Sequence, residues 1–268
     1  MYNFTDTTTA PTANNTLPAE AIQFDNKWLD RVIPGFKTLS VTGRETMQAE
    51  VTNREHTTKH GQRFIRKKYP PRTITVRYQL EATSPATFRT AFNQLNSVLD
   101  KSEGKIIFND EPDMYFIGTR QSMSDTEPGL NCVTGEIVFY CSDPFKYASA
   151  YTEVTMNRTT TKLITVDTVV PTPVIIVITP TFNLGSMTLR GVATSTVTGA
   201  DSPIKINNLQ DGQAITIDGE ACTVKQGNQN KFSDAEMWEF PTFQPGSNSI
   251  VCDTDQCNIT FKYRPCYM

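Results

Sequence analysis

Three carboxylates within four positions form the tightest group of side chains in this chain that could support acid–base chemistry. They are Asp110, Glu111 and Asp113. A glycoside hydrolase needs a pair of such carboxylates for its acid and base roles. This carboxylate cluster also contains Pro112 and lies between two segments with strand character, a pattern more typical of a solvated hairpin turn. We therefore interpret the cluster as a turn and predict no catalytic residue in it.

Other motifs for catalysis or cofactor binding are weaker still. His56 and His60 lie in a basic segment without a neighbouring Ser or Cys nucleophile motif. Gly43, Gly61 and Gly104 stand alone, so the sequence has no glycine-rich loop for a nucleotide phosphate. The sequence therefore predicts a protein that is not an enzyme and uses no cofactor.

Six cysteines are the remaining candidates for a metal site or for disulfides. No C-x-x-C pair occurs among them, which argues against zinc. The N-terminus lacks the pattern of a secretion signal, and the longest apolar run, Val174 to Ile178, is too short to cross a bilayer. We therefore expect cytoplasmic assembly without membrane insertion, and buried thiols that stay reduced. Which cysteines could pair is left open, because spacing does not fix connectivity.

Charge is distributed unevenly along the chain. Between Arg54 and Arg72 seven bases stand against one acid, Glu55, which gives a local balance of +6. Between Glu103 and Asp143 eight acids stand against two bases, a local balance of −6. Segments of opposite sign predict surfaces that attract each other, within one chain or between neighbouring chains. The seven bases are Arg54, Lys59, Arg63, Arg66, Lys67, Lys68 and Arg72.

This basic arm, residues 54–72, has three interpretations. It is a loop or hairpin that faces another protein, a simply solvated surface, or a segment close to DNA. Its bases would suit phosphate contacts, but Phe64 and Tyr69 are its only aromatic residues for base stacking. We favour the first interpretation and take the seven bases and the carboxylate cluster as candidates for a protein interface. No sequence-specific recognition of nucleic acid is predicted.

Periodicity organises the first half of the chain into strands and one helix. Residues Thr73 to Leu80 alternate between apolar and polar side chains, as in a half-buried strand. Ser84 and Pro85 mark a helix start, because Ser caps free amides and Pro fits the first turn. Gly104 is placed where a left-handed residue would end the helix. The helix should pack on a sheet through an apolar stripe formed by Phe88, Phe92, Leu95 and Leu99.

The second half contains short strands separated by turn residues, with no convincing second helix and no internal repeat. This pattern predicts a β-sandwich. We place an extended leader at residues 1–20, a first domain at 21–149 and a second domain at 150–268. Trp238 has two interpretations. We favour an anchor in the core of the second domain, and the alternative is a platform that stacks against a sugar.

Several stretches of both domains resemble one known family, the distal tail proteins of long, flexible-tailed phages. In the first domain these stretches are Arg72–Arg77, Leu95–Leu99, Ile107–Tyr115 and Gly135–Tyr147. In the second domain they are Ile215–Asp218, Trp238–Asn248 and Ile259–Tyr263. The resemblance covers roughly residues 22–264 and leaves out the leader.

The resemblance implies a mainly β fold. An N-terminal β-sandwich or barrel-like ring domain carries one packed α-helix, and a C-terminal galectin-like β-sandwich follows. It also implies a structural hub at the tail tip, or baseplate, of a virion assembled in the host cytoplasm. Six copies would form a ring that joins the tail tube to the adsorption apparatus, with the tail tube protein and tail-tip, receptor-binding or tail-associated proteins as partners. The alternative is a carbohydrate-binding protein that uses the C-terminal sandwich.

Overall fold

The computed structural model describes residues 17–124, 131–195 and 197–268, and within them the chain is mainly β. It divides into two compact units between Lys146 and Tyr147, with Met268 grouped with the first. The predicted fold class, two mainly β domains with one packed helix, is confirmed. Residues 1–16 of the predicted leader lie outside the described residues.

The first unit is built on one antiparallel sheet. Its strands follow the order β2-β1-β7-β8-β9-β6-β3, while β4 and β5 pair with each other in a separate two-stranded sheet. The bounds are β1 (Ile22–Phe24), β2 (Lys27–Trp28), α1 (Leu29–Val32), β3 (Phe36–Thr42), β4 (Glu50–Glu55), β5 (Gln62–Lys68), β6 (Arg72–Glu81), α2 (Pro85–Leu99), β7 (Gly104–Phe108), β8 (Glu111–Met123), β9 (Cys132–Cys141) and β10 (Lys146–Ala148).

Strand β6 confirms the predicted alternation. Ile74, Val76, Tyr78 and Leu80 are all buried in the core of the first unit, whereas Arg77 and other intervening residues face outward. The strand lies between β3 and β9 and pairs antiparallel with both. It therefore carries one face of the core and connects the basic arm to the middle of the sheet.

Helix α2 begins where the sequence predicts. The Ser84 side chain accepts a hydrogen bond from the Thr87 backbone amide, the Thr87 hydroxyl accepts one from the Ser84 amide, and Pro85 occupies the first turn. The buried face consists of Phe88, Ala91, Leu95 and Leu99. Phe92 is only partly buried but packs against this core, so it lies at the edge of the predicted stripe, and the buried face is centred on Ala91 and Leu95.

Gly104 does not end the helix as predicted. Glu103 takes the left-handed conformation, with a φ of 53°, and Gly104 is already the first residue of β7. A Cβ atom on Gly104 would lie 2.4 Å from the Phe24 ring. The glycine is therefore required by close packing of the strand against an aromatic side chain, not by its backbone conformation.

The second unit is a sandwich of two antiparallel sheets with a core of its own. One sheet has the order β11-β22-β13-β16-β17-β18, with β20 on β13, and the other has the order β12-β21-β14-β15-β19. The bounds are β11 (Thr152–Asn157), β12 (Thr161–Val166), β13 (Thr172–Pro180), β14 (Leu184–Arg190), β15 (Ile204–Leu209), β16 (Ile215–Asp218), β17 (Thr223–Gln226), β18 (Gln229–Asn230), a 3-10 turn (Phe232–Asp234), β19 (Ala235–Glu236), β20 (Thr242–Phe243), β21 (Gly246–Cys252), β22 (Cys257–Tyr263) and β23 (Cys266–Tyr267).

The six cysteines are all free thiols, and four of them are buried: Cys141, Cys252, Cys257 and Cys266. Burial raises the pKa of the Cys141 and Cys257 thiols to about 11, so both are neutral at ordinary pH. Cys132 and Cys222 are exposed, so the expectation of burial is wrong for these two. Each lies at a strand end or in a turn, outside the apolar pattern that marks core positions.

The position of α2 predicts unequal costs for its apolar residues. Leu95→Ala should lower the free energy of unfolding by about 2–5 kcal/mol, because it leaves a cavity in the core. Phe92→Ala should cost less, since the ring is partly solvated. Urea unfolding followed by circular dichroism would measure both, with the exposed Asn93→Ala as the control, expected within about 0.5 kcal/mol of wild type. A smaller loss for Leu95→Ala than for Phe92→Ala would contradict this packing.

Candidate functional site

The basic arm is a β-hairpin that extends beyond the main sheet. Strands β4 and β5 continue the antiparallel pair formed by β3 and β6, and the turn between them carries His56 and His60. Every residue of β5 is exposed, and Thr52 is the one partly buried residue of β4. The arm therefore offers both of its faces to solvent.

In the part of the chain that the structure describes, most cations of the hairpin have no carboxylate partner. Lys68 makes an ion pair of 3.0 Å with Glu50, its neighbour across the two strands. Among the described residues, no ion pair is made by Arg54, Lys59, Arg63, Arg66 or Lys67. Cross-strand register places Arg54 beside Arg63, a like-charge pair that slightly destabilises a hairpin standing alone. The positive charge of the arm is therefore available to an external partner.

Arg72 stabilises the root of this hairpin, by which we mean residues 43–46 and 69–72, where the two stems leave the main sheet. Its Nε donates to the Pro144 carbonyl at 2.8 Å, and its Nη1 donates to the carbonyls of Arg44 at 2.6 Å and Gly43 at 3.2 Å. The guanidinium carbon lies 5.2 Å from the centre of the Phe116 ring. Burial lowers the pKa of Arg72, since desolvation disfavours the charged form. One buried cation thus joins the segment entering the hairpin to the strand leaving it.

Arg44 forms the second half of the root. Its two terminal nitrogens donate to both carboxylate oxygens of Asp110, the Nη1–Oδ1 distance being 2.7 Å, and the guanidinium stacks 4.7 Å from the centre of Phe108. The Glu20 carboxylate oxygen Oε1 lies 3.6 Å from Arg44 Nη2. Burial would lower the pKa of Arg44, but the hydrogen bonds and charge of Asp110 outweigh burial and raise it. This buried, bidentate pair fixes the loop before β4 against the turn after β7.

Backbone restriction and aromatic contacts complete the root. Gly43 has a φ of 91°, and a Cβ atom there would lie 2.2 Å from the Thr73 carbonyl oxygen, so only glycine fits. On the other stem, Pro70 and Pro71 hold the chain extended before β6. The Tyr69 ring packs edge-on against Phe145 at 5.8 Å between centroids. The hairpin therefore leaves the sheet from a rigid base.

The structure separates the residues that the sequence grouped as one interface. Arg72 is buried, and its Nε and Nη1 are hydrogen-bonded in the root, so the prediction of Arg72 as a surface interface residue is wrong. Asp110 pairs with Arg44, and Glu111 pairs with Lys146 at 2.5 Å. Of the carboxylate cluster, Asp113 is the exposed member. The turn interpreted from the sequence is confirmed for Asp110, which lies between β7 and β8 and serves the root of the hairpin, whereas Glu111 and Asp113 belong to the first residues of β8.

Trp238 is the clearest departure from expectation in the second unit. Its side chain is 96% exposed, so the favoured interpretation as a core anchor is wrong. Met237 and Phe240 pack against the core instead, and Phe240 stacks on Phe232 with centroids 6.2 Å apart. Because the chain bends here rather than forming a regular strand, the apolar spacing did not reveal which aromatic residue turns inward.

Comparison with known proteins identifies the kind of protein to which this geometry belongs. Residues 32–141 match the family profile described as phage tail protein RIFT-related domain. Residues 167–267 match the profile described as siphovirus-type tail component, C-terminal domain. The chain belongs to the siphophage distal tail, or hub, proteins. The resemblance seen in its sequence is thereby confirmed.

Two solved structures share the fold of this distal tail protein. The crystal structure of SPP1 Dit, described as a paradigm of the hub adsorption apparatus in phages that infect Gram-positive bacteria, matches with a TM-score of 0.76 and 16% identity, covering 92% of this chain and 99% of that one. The phage P2 baseplate in its activated conformation with Ca matches with a TM-score of 0.51 and 10% identity, covering 87% and 91%. No curated protein sequence matches the chain.

These matches make the protein a structural component of a phage tail hub or baseplate. Its homologues are parts of tail assemblies, so it works with other tail proteins and belongs to the virion. Within the described residues, no helix is long and apolar enough to cross a membrane. In the same residues, no group of three His, Cys, Asp or Glu side chains is arranged to hold a metal ion.

The root geometry predicts a specific effect of losing Arg72. Arg72→Met should lower the free energy of unfolding by roughly 2–5 kcal/mol, because buried carbonyls lose their donor. It should also speed amide exchange at residues 43–46 and 69–72, measured by hydrogen exchange and mass spectrometry. Arg77→Met is the matched control, since Arg77 lies on the solvent face of the same strand. Equal exchange at the root in both variants would show that Arg72 does not hold the hairpin.

Proposed function

We propose that six copies of this protein close into a ring through their first units, and that the ring joins the tail tube to the adsorption apparatus. The observation that carries the proposal is the match of both units to tail proteins, which extends over 99% of the SPP1 Dit chain. That protein is a hub of an adsorption apparatus. The same task suits a chain whose first unit carries an exposed, rigidly rooted arm.

The charge of the first unit supports association between copies. Among the described residues, the hairpin cations other than Lys68 make no ion pair, and exposed acids such as Asp113 and Glu136 are available elsewhere on the first unit. A closed ring needs two different, complementary faces on each subunit. We assign the six exposed bases from Arg54 to Lys68 to one face and Asp113 to the other, with Glu111 beside it.

The remaining parts of the proposal concern the partners. The tail tube protein docks on the ring, and the second units hold tail-tip, receptor-binding or tail-associated proteins. Assembly takes place in the host cytoplasm, and the protein has no catalytic role. These assignments follow from the hub function. We propose no sequence-specific contact with nucleic acid.

The mass of the purified protein in solution tests the ring. Sedimentation velocity or light scattering should give six times the 30.0 kDa of one chain at moderate concentration, alone or after addition of the tail tube protein. Negative-stain images should show closed rings. A species that remains a monomer even with that partner present would overturn the proposal.

The charged face predicts how assembly depends on salt. Reversing Arg66, Lys67 and Lys68 to Glu should weaken assembly most at low salt, where screening is least. The thermal unfolding midpoint should stay close to wild type, because exposed charges contribute little to stability. Normal assembly of this triple variant at every salt concentration, with loss of affinity for duplex DNA, would instead indicate that the arm faces the genome.

The exposure of Trp238 favours a second candidate function, contact with a glycan by the second unit. Trp is buried on average, and an indole ring 96% exposed offers a flat apolar surface with one N–H donor. Two residues earlier, Glu236 accepts hydrogen bonds from Asn207 Nδ2 at 2.8 Å and Lys205 Nζ at 3.0 Å. An aromatic platform beside ordered polar groups is suited to the apolar face and hydroxyl edge of a sugar.

Binding of the full chain to an array of soluble bacterial cell-surface oligosaccharides tests this second function. We expect saturable binding that falls about tenfold or more in Trp238→Ala, since loss of a stacking contact removes about 1–3 kcal/mol by analogy with aromatic stacking on bases. Phe182→Ala, which removes another exposed aromatic ring of the second unit, should bind as wild type does. Absence of binding, or equal binding by both variants, would contradict it.

A further inference from the structure

The hairpin carries a β-bulge that gives one of its faces an apolar patch. Thr52 pairs with Arg66 and Asn53 pairs with Phe64, so Ile65 is an extra residue in β5. Two consecutive residues, Phe64 and Ile65, therefore lie opposite Asn53 and on the same side of the hairpin. Val51 shares this face because it is two residues from Asn53, and register also places Lys67 on it, opposite Val51.

The patch is exposed although it consists of large apolar residues, which usually lie in a hydrophobic core. Val51 is 53% exposed, Phe64 60% and Ile65 53%. None of the three belongs to either hydrophobic core. A two-stranded hairpin is marginally stable in water by itself, and adjacent exposed apolar side chains mark an interaction surface more often than scattered ones do. The rooted hairpin holds this patch away from its own chain.

The opposite face of the hairpin has a different chemistry. Register places Arg54 and Arg63 there, together with Thr52, Arg66 and the Glu50–Lys68 pair. A nucleic acid would be bound by this cationic face and would leave the apolar face in water. A protein surface that is both apolar and negatively charged around its edge would cover the patch and satisfy the charges.

A second copy of the same chain offers that charge. Residues 50–68 contain six bases and two acids, a formal charge of +4. The whole chain contains 25 bases and 28 acids, so the remainder has 19 bases and 26 acids, a formal charge of −7. The hairpin is therefore a positive segment on an otherwise negative protein, and another copy attracts it at long range.

We propose that the apolar face of the hairpin, formed by Val51, Phe64 and Ile65, docks on the neighbouring copy of this chain. The charges guide the approach and the apolar side chains supply most of the binding. Because the hairpin and the surface that receives it are different parts of the chain, the contact is head-to-tail and can close into a ring. This inference rests on the proposed ring and names the element that holds it together.

Sedimentation velocity of the full-length protein tests the docking surface. We expect Phe64→Ser with Ile65→Ser to weaken self-association about 100-fold or more, as for central apolar residues of an interface. The defect should persist in 1 M NaCl, because apolar burial is not screened by salt, unlike the steering by charge. Phe182→Ser is the matched control, since Phe182 is 52% exposed but lies on the second unit, and it should assemble normally.

The outcomes separate this inference from the ring proposal. A wild-type protein that stays monomeric, with and without the tail tube protein, overturns both. A wild-type ring that the double variant forms equally well overturns the docking surface and leaves the ring standing. If the double variant assembles normally but loses affinity for duplex DNA, the patch binds nucleic acid, and this result also overturns the docking surface. Unchanged thermal unfolding of the double variant would show that weaker association is not caused by misfolding.

Discussion

The buried guanidinium of Arg72 is the interaction on which the presentation of the arm depends. It brings three backbone carbonyls, from Gly43, Arg44 and Pro144, to one point. Without a buried donor those carbonyls would lose their hydrogen-bonding partner in a place that water does not reach. The Arg44–Asp110 pair adds a second fixed point beside it. The arm has no hydrophobic core of its own, and these contacts fix its position relative to the main sheet.

Charge has two separate uses in the first unit. The acids that hold the fold, Asp110 and Glu111, pair with Arg44 and Lys146, which lie outside the hairpin. The bases of the hairpin remain in solvent. Because the internal pairs do not involve the hairpin cations, the electrostatics of association can change with little effect on the stability of the unit.

Local signals in the sequence predicted much of the fold but less of the site. Alternation in β6 and the Ser84 cap of α2 are set by neighbouring residues, so both were predictable. Arg44 was not, because its role depends on Asp110, a residue 66 positions away. The bulge at Ile65 depends on the register between β4 and β5, and no residue pattern within either strand reveals it. At Trp238 an irregular bend removed the periodicity that separates inward from outward side chains.

The continuity of β3–β6 with the hairpin also has a mechanical consequence. Strands β3 and β6 run antiparallel, with Thr42 opposite Thr75 near the end from which the hairpin emerges. A pull on the hairpin tip along its axis would draw the adjoining ends of β3 and β6 in the same direction, so the ladder between β6 and β9 would be loaded in shear, in which hydrogen bonds break together rather than one after another. Arg72 and Gly43 lie where this load would enter the sheet. The hydrogen bonds of Arg72 to Gly43 and Pro144 would therefore carry part of any load placed on the arm.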